Sequence, residues 1–286
     1  MRISVEQFKS LKKIPNSPYD SIKPYFLFHS NKLEGSTFSI TELERLIQSK
    51  KVEGVHEFDD VIETYNSVST FDYLIDSLRT AIDKKFVISL NTKLLVNTSM
   101  DQEGFVGHYK YLGNMISGTK VQVTLPAEVE SGMEELFSWW YKTNKTLESI
   151  VHFHVRFEHI HPFQDGNGRT GRFLILKQCI ENDIDIPIIE EKNENEYKTW
   201  LEMAQVYGNE APLLEIFKKA QMNFDEKMKS IGINDFSDYL VPIWPRESIE
   251  NAKSTISQFS LSNVDHQPYK KGLWLWNMTS NLMIAS

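Results

Sequence analysis

His161-Pro162-Phe163-Gln164-Asp165-Gly166-Asn167-Gly168-Arg169-Thr170-Gly171-Arg172 is the stretch on which the reading of this chain turns. Two glycines flank a small polar residue directly before a segment, Thr170 to Asn182, that reads as helix. Glycines let backbone N–H groups come close to a ligand. A helix start adds unpaired N–H groups and a positive dipole end. Together they make an anion site suited to phosphate. Arg169 and Arg172 are three apart and share a face of the first turns, so two guanidinium forks stand beside that site. Asp165 offers a hard oxygen, and Mg²⁺ on a polyphosphate takes only one or two carboxylates. His161 stands at the loop entrance, where a neutral imidazole can accept a hydroxyl proton. Gly166-Asn167-Gly168 alone reads as a plain turn and the arginines alone as a solvated face; the whole string is far more specific. It lacks the Gly-x-x-x-x-Gly-Lys-Ser/Thr of a Walker A loop.

Upstream, Val151, Phe153, Val155 and Phe157 alternate as in a strand, while Leu147, Ile150, Val151, His154 and Phe157 fit one helical face. The pattern leaves both open. From Glu57 to Lys85 apolar residues recur at three- and four-residue steps, which predicts one long amphipathic helix. Val87 to Val96 continues helically. Ser39 or Thr41 starts another helix, and Pro15, Pro18 and Pro24 predict loop and short helix before it. Asn114–Ile116 and Val121–Leu125 flank Ser117-Gly118-Thr119 and read as a β-hairpin closed by Pro126. Helices follow at 128–142, 194–207 and 212–228. The expected fold is mainly α with one small hairpin. Its parts are an N-terminal helical region (1–100), a core (101–230, hairpin about 112–126) and a C-terminal extension (231–286).

The chain has 286 residues, 41% of them hydrophobic, enough for a sizeable core. A net charge of −8 argues against bulk nucleic-acid binding. One cysteine, Cys179 in an apolar run, excludes an internal disulfide and reads as a buried, inert thiol. No apolar leader or membrane-length apolar run is present, so a cytoplasmic protein with no membrane partner is expected.

The loop matches a known pattern. His-Pro-Phe-x-Asp/Glu-Gly-Asn-Gly-Arg-x-x-Arg, the motif of Fic-domain proteins, is met at every fixed position; at about 5% per position such a match arises on the order of once in 10⁹ chains. The resemblance extends over residues 25–225. It implies a helical core with a β-hairpin flap, resolves the segment before His161 as helix, and implies transfer of AMP from ATP to a Ser, Thr or Tyr of a target protein. By position it assigns His161 as general base, Phe163 as loop anchor and Asp165 as the Mg²⁺ ligand. Asn167, with the N–H groups near Gly166 and Gly168, is assigned to the α-phosphate, Arg169 to the outer phosphates, and Arg172 to the γ-phosphate or an inhibitory glutamate. Met115, Ile116, Gly118, Val121 and Val123 would form the flap that docks the target by strand addition. Asn195 and Tyr197 would approach the adenosine. A homo-oligomer with self-modification fits the same resemblance.

Ser30-Asn31-Lys32-Leu33-Glu34-Gly35 resembles the family's inhibitory motif, Ser/Thr-x-x-x-Glu-Gly/Asn, on a helix expected at about 26–36. Alone it reads as a capped helix; beside the full loop motif it implies that Glu34 pairs with Arg172 and holds ATP in an unproductive pose. His152, His154, His159 and His161 cluster, but none are four apart, so they read as packing or surface residues apart from the base. Lys110 stands where relatives often carry Arg, in Gly107-His108-Tyr109-Lys110, which is expected to change a structural or flap-base contact rather than the chemistry. Other group transfers on this fold, removal of AMP and a non-catalytic nucleotide-binding module are the alternatives.

Overall fold

The computed structural model describes residues 1–239 apart from Ser117. Residues 1–240 form one compact unit. Among the described residues the regular elements are all helical: α1 (Val5–Leu11), α2 (Pro18–Lys32), α3 (Ile40–Ser49), α4 (Phe58–Asp76), α5 (Lys84–Leu95), α6 (Ser99–Gln102), α7 (Pro126–Lys142), α8 (Leu147–Ile160), α9 (Asn167–Glu181), α10 (Glu194–Tyr207) and α11 (Ala211–Ser230). Two short 3-10 turns, Glu191–Asn193 and Phe236–Tyr239, complete the set.

The fold is built around α8 and α9. Thr146 caps α8 in a capping box with Ser149, which resolves the ambiguous segment as helix. Both of its apolar patterns are used, because Ile150, Val151, Phe153, Val155 and Phe157 are all buried. A helix apolar on most sides belongs in the interior. α9 is buried almost throughout, from Asn167 to Ile180. α7, α10 and α11 pack on α8, while α2, α4 and α5 pack on α9. Cys179 is fully buried, and its thiol is pushed up by burial. No helix of the described residues is long and apolar enough to cross a membrane.

Three sequence expectations need correction. The helix expected from Glu57 through Lys85 is two helices. α4 stops at Asp76, Arg79 takes a positive φ of 77°, and Asp83 caps α5 by accepting from the Phe86 N–H. The apolar spacing continues across the break because Leu78 and Ile82 stay buried in the turn. The prolines of the first stretch do not prevent a long helix: α2 runs from Pro18 to Lys32 with Pro24 inside it. Burial of Tyr19, Ile22, Phe26 and Leu27 overrides the lost backbone hydrogen bond. The helix expected at about 26–36 therefore begins earlier, at Pro18, and ends at Lys32.

The third concerns the hairpin. Thr119 N–H donates to the Ile116 carbonyl and Gly118 has φ 78°, so the turn is present; its Ser117 lies outside the described residues. The arms, however, form no strand among the described residues. Their polar groups bond to the helical body instead: Thr124 N–H to the His159 carbonyl, Lys120 N–H to Glu202, and the Asn114 amide to the Phe163 carbonyl. Of the expected flap residues, Met115 and Gly118 are exposed, Ile116 and Val123 half-buried, and Val121 buried. The C-terminal extension expected from residue 231 begins with Ile233 and Phe236 buried in the core, and from residue 240 it lies outside the described residues.

Candidate active site

Residues 161–166 join the end of α8 to the start of α9. His161 is the C-cap of α8 in the left-handed conformation, φ 49°, ψ 60°. A non-glycine residue held there is strained by about 1–2 kcal/mol and needs its surroundings to fix it. Pro162, which cannot continue a helix, follows. Phe163 is 1% exposed and anchors the turn. The Asn167 amide closes it in both directions, accepting from the Phe163 N–H and donating to the Phe163 carbonyl, each at 2.9 Å. Lys110 N–H donates to the Pro162 carbonyl at 2.8 Å, and Asn91 of α5 donates to the Asp165 carbonyl at 3.0 Å.

Gly166 caps α9 with φ 75°, and a Cβ there would stand 2.8 Å from the Asn91 amide nitrogen. Both the conformation and the close approach require glycine. The intrahelical ladder of α9 begins with Thr170 N–H to the Gly166 carbonyl, so the preceding N–H groups face outward. At this positive helix end sits the Glu34 carboxylate. It lies so close to Gly168 that a Cβ there would collide with Glu34 Oε1.

Glu34 belongs to the turn after α2, closed by Gly35 N–H to the Lys32 carbonyl, with Gly35 at φ 88°. Its Oε1 accepts from Arg172 Nη2 at 2.6 Å. Arg172 Nε also donates to the Ser30 hydroxyl at 3.0 Å, and Nη2 to the Ser30 carbonyl at 2.9 Å. Ser30, Glu34 and Arg172, linked in the sequence only by the resemblance, meet in one contact. Burial would raise the Glu34 carboxyl, but the Arg172 and Arg169 charges hold it below its ordinary value.

Arg169 is buried between Glu63 of α4, to which it is ion-paired, and Asp165 Oδ2 at 3.4 Å. The Asp165 side chain is 43% exposed. The His161 imidazole is lowered to about 4, by burial first and by Lys110 second, so it is neutral. Asn195 is exposed in the first turn of α10. Tyr197, expected near adenosine, is 2% exposed, and its hydroxyl meets His154 Nε2 at 2.7 Å beneath Arg172. In this conformation it has no open side for a ligand. His152 instead meets Glu210 at 2.8 Å.

Sequence reasoning missed Asn91, Glu63 and Asn114, which hold the loop and its arginine from other elements. Asn91 carried a signal, being a polar residue within the apolar stripe Val87, Leu90, Leu94 of α5. Glu63 and Asn114 carried none.

The chain is similar in sequence and in fold to known proteins of one kind. The Fic/DOC family model matches residues 81–179. "Protein adenylyltransferase Fic" of Culex quinquefasciatus is 24% identical over 188 residues, 62% of this chain and 36% of that protein. The protein of the same name from Nematostella vectensis is 20% identical over 195 residues, covering 66% and 44%. The chain thus spans less than half the length of these curated relatives. A Fic-domain-containing signaling protein from Bacteroides thetaiotaomicron shares the fold with a TM-score of 0.62 at 21% identity, over 76% of this chain and 89% of the other. A Fic-1 fragment from C. elegans does so with a TM-score of 0.62 at 17% identity, over 79% and 67%. The loop, the family match and the shared fold converge on one stretch: residues 81–179 match the Fic/DOC family model, within a chain that shares the fold of solved Fic-domain proteins.

Proposed function

We propose that this chain is a protein adenylyltransferase that moves AMP from ATP to a Ser, Thr or Tyr hydroxyl of a target protein, itself included, and that Glu34 restrains it. In this reading the target hydroxyl oxygen attacks the α-phosphorus. A new O–P bond forms, the bond to the β-phosphate bridge oxygen breaks, pyrophosphate leaves, and the hydroxyl proton passes to His161. Proton acceptance by a positioned base contributes roughly 10²- to 10⁴-fold. The N–H groups at the start of α9 would hold the α-phosphate where charge develops. Arg169 and Arg172 would take the outer phosphates, and the flap residues would align the target segment. Asn167 serves this site through the loop, since its amide is engaged by Phe163.

The observation that carries the reading is the junction of a neutral imidazole with a helix start that already attracts a carboxylate. Glu34 occupies the place where a triphosphate's anionic oxygens would lie, on the arginine that the γ-phosphate would need. Removing Glu34 would free both. Asp165 suits a metal carried by the nucleotide: it is a single, half-exposed carboxylate with one oxygen turned to Arg169 and the other unengaged. It would hold Mg²⁺ beside the α- and β-phosphates, where the ion would offset negative charge.

Transfer of another group on the same fold, or of AMP back to water, would use the same residues, and a non-catalytic binding module would need no base. Incubation of the Glu34→Gly protein with ATP labelled at the α- or γ-phosphate separates these. Label from the α-position only, lost in Glu34→Gly/His161→Ala, is the expected result. Label from the γ-position would mean phosphate transfer. Absence of label, from itself and from a cell lysate, would reduce the chain to a binding module.

A further inference from the structure

His154 and Glu158 lie four apart on α8 and share one face, and His161 caps the end of that helix. Glu158 is 5% exposed, and its Oε1 is buried without a hydrogen-bond partner. His154 Nδ1 and His161 Nδ1 are buried and unpartnered as well. Unsatisfied buried polar atoms are rare and costly, and three together in one place call for a reason. Glu158 Oε2 stands 3.9 Å from His161 Nδ1. The space it occupies exists because residue 171 is glycine: a Cβ there would lie 2.5 Å from Glu158 Oε1 and 3.1 Å from His154 Nδ1. A buried carboxyl has thus been fitted between Gly171 and the Nδ1 edge of the assigned base.

We infer that Glu158 is a positioning residue for His161: in the unbraked protein its carboxylate accepts from the ring's Nδ1–H, leaving the Nε2 lone pair to take the target's proton. This rests on the function proposed above. The present 3.9 Å is too long for that bond, but such contacts are commonly loose before ligand binds and tighten in the complex. A base oriented by a third group is the general arrangement of activated nucleophiles. The charges around the pair fit. His161 faces Lys110, Glu34 and Asp165 besides Glu158. Glu158 faces Arg172 of α9, Glu34 from the turn after α2, and Tyr197 of α10. With Glu34 in place, Arg172 is shared and burial pushes Glu158 up to about 8, so the carboxyl is largely protonated and supports the ring poorly. Once Glu34 withdraws, one of the charges that hold the Glu158 carboxyl up is lost, which favours the carboxylate that the ring's Nδ1–H needs. The brake would then act on the base as well as on the γ-phosphate arginine.

The test uses the full chain carrying Glu34→Gly, alone and combined with Glu158→Gln or Glu158→Ala. The ¹⁵N signals of the His161 ring are followed against pH, and kcat and the KM for ATP are measured separately. With Glu158 present the ring should carry its proton on Nδ1. Glu158→Gln, which keeps shape and an acceptor but not charge, should lower the ring's titration midpoint and reduce kcat about tenfold or more, with the ATP KM within about twofold. Glu158→Ala should mix the two ring tautomers; if it fails to fold, the Gln variant decides alone. An unchanged midpoint in Glu158→Gln would overturn the inference, because the Glu158 backbone carbonyl, which also faces the ring, would then hold it unaided. A fall in kcat matched by an equal rise in KM would overturn it too, as general damage to the site. If Glu34→Gly transfers no AMP at all, the function fails, while the ring signals still decide whether Glu158 governs His161.

Discussion

Glu34→Gln keeps the size of the side chain and removes the charge that faces Arg172, so it isolates the brake. Arg172 is left with the Ser30 hydroxyl and carbonyl, at 3.0 and 2.9 Å, and loses its charged partner at 2.6 Å. A hydrogen bond to a charged group contributes roughly 1.5–3 kcal/mol. The Glu34 side chain is 36% exposed, so water screens part of that, and a loss of about 1–2 kcal/mol remains. For a unit of this size, that corresponds to a melting temperature lower by about 2–8 °C. The sign with pH follows from the depressed Glu34 carboxyl. Its contribution is complete above the ordinary carboxylate pKa and is lost as pH falls through the lower folded value. The gap between parent and variant should therefore close below about pH 4. Freed from the carboxylate, Arg172 should also become available to ATP. Each 1.4 kcal/mol of restraint removed raises the rate about tenfold, so roughly five- to thirtyfold faster AMP transfer is expected. Differential scanning fluorimetry between pH 3.5 and 8, with and without ATP and Mg²⁺, reads the stability; α-labelled ATP reads the rate. A variant that melts lower but transfers no faster would refute the brake and leave the pair as ordinary structure. A variant matching the parent in both would refute the energetic argument as well.

Two further outcomes follow from the site. Gly166→Ala must place a side chain at φ 75° and push the Asn91 amide off the loop; a loss of about 1–2 kcal/mol in urea unfolding is expected, with weaker ATP binding by calorimetry, and unchanged values would show that the loop's conformation is not set there. His154 is held neutral at about 3, by burial first. Its unfolded form takes a proton near pH 6.5, so stability should fall as pH drops below that and continue falling toward the folded value. The parent should lose about 2 kcal/mol more than His154→Gln between pH 7.5 and 5, a comparison of variants in which the opposite slope from the raised Glu158 cancels; equal slopes in urea unfolding would show that His154 does not titrate in this way.

The loop was legible because its meaning is local. Gly166 needs a positive φ, Pro162 ends a helix, and two arginines three apart share a face, whatever surrounds them. Glu34 and Arg172 lie 138 residues apart and were linked only through a resemblance; the ion pair is a fact of packing, made because α2 lies on α9. The misread elements share one cause. Periodicity records which side chains are buried, not how the backbone gets them there. Leu78 and Ile82 continue the spacing of α4 through a turn, and buried aromatics carry α2 through Pro24. Likewise, alternation in residues 121–125 reads as a strand, yet the Thr124 N–H bonds to the end of α8 rather than to the opposite arm. The same limit hid Glu158. In sequence it is one acid on a mixed helix, and only three-dimensional packing reveals that Gly171 leaves room for it and that no ordinary partner reaches its Oε1. A carboxyl so placed, with an oxygen left unpaired, is costly unless the chemistry one turn away makes use of it. That is why the imidazole at residue 161 and the carboxyl at residue 158 are better understood as a pair than as a base with a bystander.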